Sequence, residues 1–201
     1  MASALVLLDI QRGILASSAI SFHDPAVPAA MLDKARALLE GARSAGLAVI
    51  HVGVARLHQR GNFDAPRTQT ARVSGKAPRD VLPLAPDSPD TGFLLVPTAG
   101  EEVIHKLGVS AFEGTRLDQS LRNLSIDEVV LAGAFTHMVV ESSARQGFDL
   151  GYRMIIVHDA CCAPAPAPHA NSLATGIPNF ARLMDCDTVV ARLRTGEPLA
   201  P

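Results

Sequence analysis

The stretch EVVLAGAFTHMVVESSA, residues 128–144, decides how this chain is read. Glu128-Val129-Val130-Leu131-Ala132 is a short apolar run of the kind a strand buried on both faces requires. Gly133 then offers a tight turn, and from about Met138 the chain takes on helical spacing as far as Leu150. A strand feeding a helix through a glycine is the repeating unit of an α/β sheet, so the reading stands or falls on whether that unit recurs.

Working outward, Ala4-Leu5-Val6-Leu7-Leu8 is a continuous apolar strand. Met31, Ala35, Leu38, Leu39 and Ala42 follow at helical spacing with Gly46 as a stop, and Val49-Ile50-His51-Val52 forms a second strand. Glu102 to Lys106 reads as a strand, Arg116 to Leu124 as a helix and Met154 to Val157 as a strand. A Pro-rich loop from Ala163 to Pro168, a helix from about His169 to Leu183 and a terminal strand near Thr188 to Val190 complete the expectation. Ala55 to Pro97 has Gly, Pro, Asn, Asp and Ser throughout and no sustained period, so it reads as a long excursion, which in a compact domain is functional or disordered. Alternation of this kind gives parallel strands, right-handed crossovers and helices on both faces. The expected architecture is a three-layer α/β/α domain covering residues 1–201.

Composition agrees with a globular chain. Hydrophobic residues make up 48%, charged residues 19% and the net charge is −2. That balance removes the main electrostatic reason to bind nucleic acid or an anionic membrane. Asp9 interrupts the N-terminal apolar run after a few residues, so neither a signal peptide nor a membrane span is expected there. Cys161, Cys162 and Cys186 are odd in number, two of them adjacent, without disulfide or zinc spacing, which fits a reducing cytoplasm.

In open α/β sheets ligands bind beyond the carboxyl ends of the strands. Asp9 ends the first strand, Lys106 ends another, and Gly133 to Val139 follows a third, so topology alone brings a carboxylate, an ammonium and a helix start together. Each has an ordinary alternative: an Asp after a strand can cap a turn, a Lys can be solvated, and a Gly can serve backbone geometry alone. Taken together the two charges support each other, because either one buried alone is costly.

These residues also carry a resemblance. Leu5-Val6-Leu7-Leu8-Asp9-Ile10-Gln11, Lys106 with Ser110-Ala111-Phe112 and Gly114-Thr115, Leu131-Ala132-Gly133-Ala134-Phe135-Thr136, and Gly151-Tyr152 with Asp159-Ala160 together resemble the isochorismatase-like cysteine hydrolases over nearly the whole chain. The resemblance implies a Rossmann-like, six-stranded, mainly parallel sheet and an Asp, Lys and Cys triad that hydrolyses amide or carbamoyl C–N bonds through a thioester. It makes Asp9 the general base and gives Lys106 the task of lowering the thiol pKa. It places the oxyanion hole at the amides of Phe135 and Val139, with a cis bond between Ala134 and Phe135, and implies a homo-oligomer, dimer or tetramer.

The chain departs from the pattern at its centre, where Val139 occupies the position of the nucleophilic Cys. Ser142 and Ser143 lie about a turn further along the expected helix and do not replace it. Cys161 and Cys162, placed after the next strand, are candidate substitutes. The family also includes isochorismatases that cleave a vinyl ether with the aspartate as general acid and no covalent intermediate, which matches the residues present, although Val54 stands where those enzymes use a glutamine. The expected substrate is a small, carboxylate-bearing molecule. Arg56 can clamp its carboxylate, and Phe112, Phe63, Thr136 and His137 are further candidates for the pocket. The metal-binding branch of the family uses an Asp–x–His motif after strand two; the comparable stretch holds only His51, so no metal and no cofactor are expected. A non-catalytic binding protein that keeps Asp9 and Lys106 to hold its pocket, and an amidase using Cys161 or Cys162, are the alternatives.

Overall fold

The computed structural model describes residues 2–18, 20–55, 84 and 88–199. Its sheet consists of β1 (Ser3–Leu8), β2 (Ala48–Val54), β3 (Glu102–Lys106), β4 (Glu128–Ala134), β5 (Arg153–Cys162) and β6 (Arg182–Met184). The strands lie in the order β3-β2-β1-β4-β5-β6 and every neighbouring pair is parallel.

Period-two alternation on β1 explains the layering. Leu5 and Leu7 enter one apolar cluster, shared with α1 (Arg12–Leu15), α2 (Val27–Ser44) and α6 (Cys186–Thr195). Ala4, Val6 and Leu8 enter the other, shared with α3 (Leu117–Asn123) and α4 (Glu141–Asp149). A short helix α5 (Pro166–Asn171) sits after β5. Successive crossovers run outward from β1 on one side and from β4 on the other, so the strand order reverses between these two neighbours. The crevice at such a reversal is where α/β sheets place their ligands.

The C-terminal third differs from the sequence expectation. Thr188 to Val190 is not a strand: it lies inside α6, where the Asp185 carboxylate accepts the Thr188 N–H at 2.8 Å as an N-cap and Val189 is fully buried. The last strand is instead Arg182–Met184, within and just beyond the segment expected to be helical. That segment is broken into α5, a π-turn at Ser172–Gly176 and a 3₁₀ turn at Ile177–Asn179. Pro178 removes a donor from any continuing helix. Pro166 and Pro168, expected in a loop, fall in the first turn of α5, where a fixed φ suits the helix. β5 also runs further than expected, so Cys161 and Cys162 are its last two residues rather than part of a following loop.

Candidate active site

Asp9 leaves β1 with φ +53, a left-handed conformation unusual for a side-chain-bearing residue. Its N–H donates to Val52 O at 2.8 Å, which turns the carboxyl over the crevice end of the sheet. Lys106, the last residue of β3, places Nζ 2.9 Å from Asp9 Oδ2 and donates a second bond to Gly108 O at 3.2 Å. Both side chains are almost completely buried, and Asp9 Oδ1 makes no hydrogen bond. Burial raises the Asp9 carboxyl above its ordinary value, and the Lys106 charge and hydrogen bond only partly counter it.

The elbow after β4 forms the facing wall. Gly133 pairs with Leu8, and a Cβ on it would stand 2.0 Å from Leu8 O, so the two backbones can approach only because this residue is glycine. The Ala134–Phe135 peptide bond is cis, and Thr136–Val140 forms a π-turn that leads into α4. Val139 is buried in the cluster that contains Leu8, Ala111 and Cys161. Ser143 accepts the Ala111 N–H at 2.9 Å and donates to Val139 O at 2.6 Å, tying the segment after Lys106 to the elbow. Its hydroxyl is therefore a brace, and nothing in the sequence pattern distinguished it from Ser142.

The remaining candidates separate. Thr136 is fully buried, with Oγ1 2.8 Å from His169 Nδ1, a partner the sequence did not suggest. His137 Nδ1 is buried without a partner, and desolvation lowers the pKa of its imidazole. Phe112 stacks on Tyr152, ring centroids 5.9 Å apart, within the core between the sheet and α3 and α4. Arg56 and Phe63 lie outside the described residues. His51 is buried and bonded at 2.9 Å to Glu101, and among the described residues no group of three or more His, Cys, Asp or Glu is arranged to hold a metal ion. Gln11, quoted in the sequence motif but given no role, bridges Val54 N, Val54 O and Thr91 O from a fully buried side chain and so fixes the end of β2 beside Asp9.

Cys161 and Cys162 are buried at the end of β5. Burial pushes both thiols up to about 12, far from the thiolate that attacks. Cys161 pairs with Gly133, which pairs with Leu8, so it stands two strands, roughly 10 Å, from the end of β1.

A family model for the isochorismatase domain matches residues 3–188. The isochorismatase family protein YecD of Escherichia coli O157:H7 is 30% identical over 191 residues, covering 95% of this chain and 96% of that one. Maleamate amidohydrolase of Pseudomonas putida is 28% identical over 172 residues, 85% of this chain and 76% of its own. Among solved structures, N-carbamoylsarcosine amidase from Thermoplasma acidophilum superposes with a TM-score of 0.71 at 25% identity, covering 93% of this chain and 98% of that one. An isochorismatase family protein from Burkholderia thailandensis gives 0.77 at 26%, covering 96% and 95%.

Proposed function

Since the chain belongs to the isochorismatase family, we propose that it is a hydrolase of small, carboxylate-bearing molecules that works through Asp9 and Lys106 without a thiol nucleophile. The observation that carries this reading is the state of Asp9: a buried carboxyl with a raised pKa, one oxygen held by Lys106 and the other without a partner. A buried carboxyl whose hold on its proton is strengthened by burial is suited to act as a general acid.

On an enol ether, the Asp9 proton passes to the terminal alkene carbon and leaves an oxocarbenium ion. Water adds to that ion, and the resulting hemiketal breaks its C–O bond to release an alcohol and a ketone. Asp9, now a carboxylate, recovers its proton from the added water. The Lys106 ammonium, 2.9 Å away, stabilises the carboxylate left behind after transfer. Maleamate amidohydrolase and N-carbamoylsarcosine amidase are named for C–N hydrolysis, but this chain has Val139 at the family's nucleophile position and its neighbouring thiols are pushed up to about 12. Enol ethers are therefore favoured over amides.

A panel of carboxylated enol ethers and primary amides, assayed with wild type, Asp9→Asn and Val139→Cys, tests the reading. The expected result is enol-ether turnover by wild type that falls by about 10²–10⁴-fold in Asp9→Asn. Turnover of amides alone would refute it. The burial of Val139 supports a second reading, a binding protein that retains the fold. Saturable binding of panel members without turnover, unaffected by Asp9→Asn, would establish that one.

A further inference from the structure

A cavity lies across β4 from Asp9. Cys161 and Cys162, which end β5, pair with Gly133 and Ala134, whereas β1 runs along the opposite side of β4. Both cysteines line a cavity of about 320 Å³ whose other walls include Val27, Ala163, Pro164 and Pro166. The His23 N–H donates to Pro164 O at 2.8 Å, which fastens the segment before α2 to the segment after β5. A cleft of this size with mostly apolar walls and few polar groups is the kind that holds a small molecule.

One polar group of that cavity is unused. His169, on α5, is half-buried and lines the cavity, and its Nδ1 is 2.8 Å from the hydroxyl of the fully buried Thr136. Among the described residues that nitrogen is the hydroxyl's only hydrogen-bond partner, so the hydroxyl donates to Nδ1, because a buried O–H without an acceptor is costly. The proton of the neutral ring then sits on Nε2. Burial, reinforced by His158 and His137, lowers the pKa of this imidazole and favours the neutral form. Nε2 has no hydrogen-bond partner among the described residues, yet it is not one of the buried unpartnered atoms, which are Asp9 Oδ1, Glu128 Oε2 and His137 Nδ1. It is therefore a free donor that solvent, and hence a ligand, can reach.

The charges around the cavity select an uncharged ligand. Burial pushes the Cys161 and Cys162 thiols up to about 12, so the floor carries no charge. An anion would meet the exposed Asp24 carboxylate, whose Oδ1 accepts the Ala26 N–H at 2.8 Å, and a cation would meet the His169 N–H. A carbonyl suits the donor better than a hydroxyl does, because it brings no proton of its own in need of an acceptor.

We propose that this cavity binds an uncharged molecule with a carbonyl oxygen on a compact hydrocarbon body, the oxygen accepting from His169 Nε2. The site is separate from the Asp9 crevice and does not depend on the reaction proposed there.

The test is a titration of the full-length protein with cyclohexanone, read by ¹³C-methyl NMR of valine-labelled protein and by long-range ¹H–¹⁵N spectra of the histidine imidazoles. Sodium cyclohexanecarboxylate and cyclohexylammonium chloride serve as the charged counterparts. The free protein should show His169 as the Nε2–H tautomer, and cyclohexanone should move the Val27 methyl and His169 Nε2 signals saturably. His169→Phe, which keeps a ring and loses the donor, should weaken binding about fivefold, the share of a neutral hydrogen bond. His169→Gln, whose side-chain N–H reaches the same position, should bind within about twofold of wild type and guards against a folding defect in the first variant. Asp9→Asn should bind as wild type does. No saturable shift in wild type would overturn the proposal, as would an Nδ1–H tautomer, equal binding of either ion, undiminished binding by folded His169→Phe, an equal loss in folded His169→Gln, or loss of binding in Asp9→Asn.

Discussion

Two carboxylates, Glu101 half-buried just ahead of β3 and Asp9 buried at the end of β1, have opposite character. Glu101 has both oxygens engaged: Arg43 grips them at 2.6 and 2.9 Å, and His51 and the Thr98 N–H each reach Oε2 at 2.9 Å. The Arg43 guanidinium, with Thr98 and His51 helping against the pull of burial, holds its carboxyl down at about 2. Asp9 has a single ionic partner on one oxygen, none on the other, and a pKa that burial raises. A carboxylate held on both oxygens is a rivet that stays ionised, whereas one that burial leaves under-coordinated holds a proton more readily than usual.

The contrast is broken most severely at Asp9 itself, where Asn should lower turnover of whatever substrate wild type accepts by about 10²–10⁴-fold while leaving the far-UV circular dichroism intact; a variant that kept its kcat would remove Asp9 from the chemistry. Next in size, Lys106→Met should destabilise the fold by about 3–5 kcal/mol, because it takes the ionic partner from the buried Asp9 carboxyl. Urea unfolding of the Asp9→Asn, Lys106→Met double variant should then recover much of that loss, and an additive double variant would mean that the pair is uncoupled. Glu101→Gln should cost about 1–3 kcal/mol while leaving kcat unchanged.

The smallest effect sharpens the contrast by pH. Glu101 has its folded pKa below the unfolded one, so its stabilisation is complete above about 4.5 and drains away as pH falls toward about 2. Asp9 has its folded pKa raised, so its stabilisation is complete below the ordinary value of 3.8 and is lost as pH rises through the folded value. Across an acid titration the stability gap between wild type and Glu101→Gln should therefore narrow as pH drops, while the gap to Asp9→Asn should shift in favour of wild type. Parallel curves for the two variants would deny any difference between the carboxylates.

Much of the fold was legible because β1, β2, β4 and β5 contain apolar runs, with helical spacing between β1 and β2 and between β4 and β5, and β1 pairs with β4 so that Leu8 and Gly133 lie side by side. The last strand was misplaced for a definite reason. Thr188, Val189 and Val190 are β-branched and look like a strand, but the Asp185 cap and the burial of Val189 outweigh that local preference. Arg182–Met184 is only three residues long with a polar start, too short to show a period. At the site, the Asp9 and Lys106 pair followed from topology, whereas the Gly108 carbonyl, the Ser143 brace and the His169 partner of Thr136 are non-local contacts that spacing does not encode.

The three cysteines have a practical use that their inertness creates. All are buried, with thiols raised to about 12, 12 and 11, so maleimide or iodoacetamide at neutral pH should leave the native protein unmodified. A single cysteine introduced at the 70% exposed Val96, whose carbonyl Arg43 grips, would then be the one reactive thiol in a natural background. A fluorophore attached there would sit at the edge of the Glu101 cluster and report its acid opening by light, with no need to strip out the native sulfur.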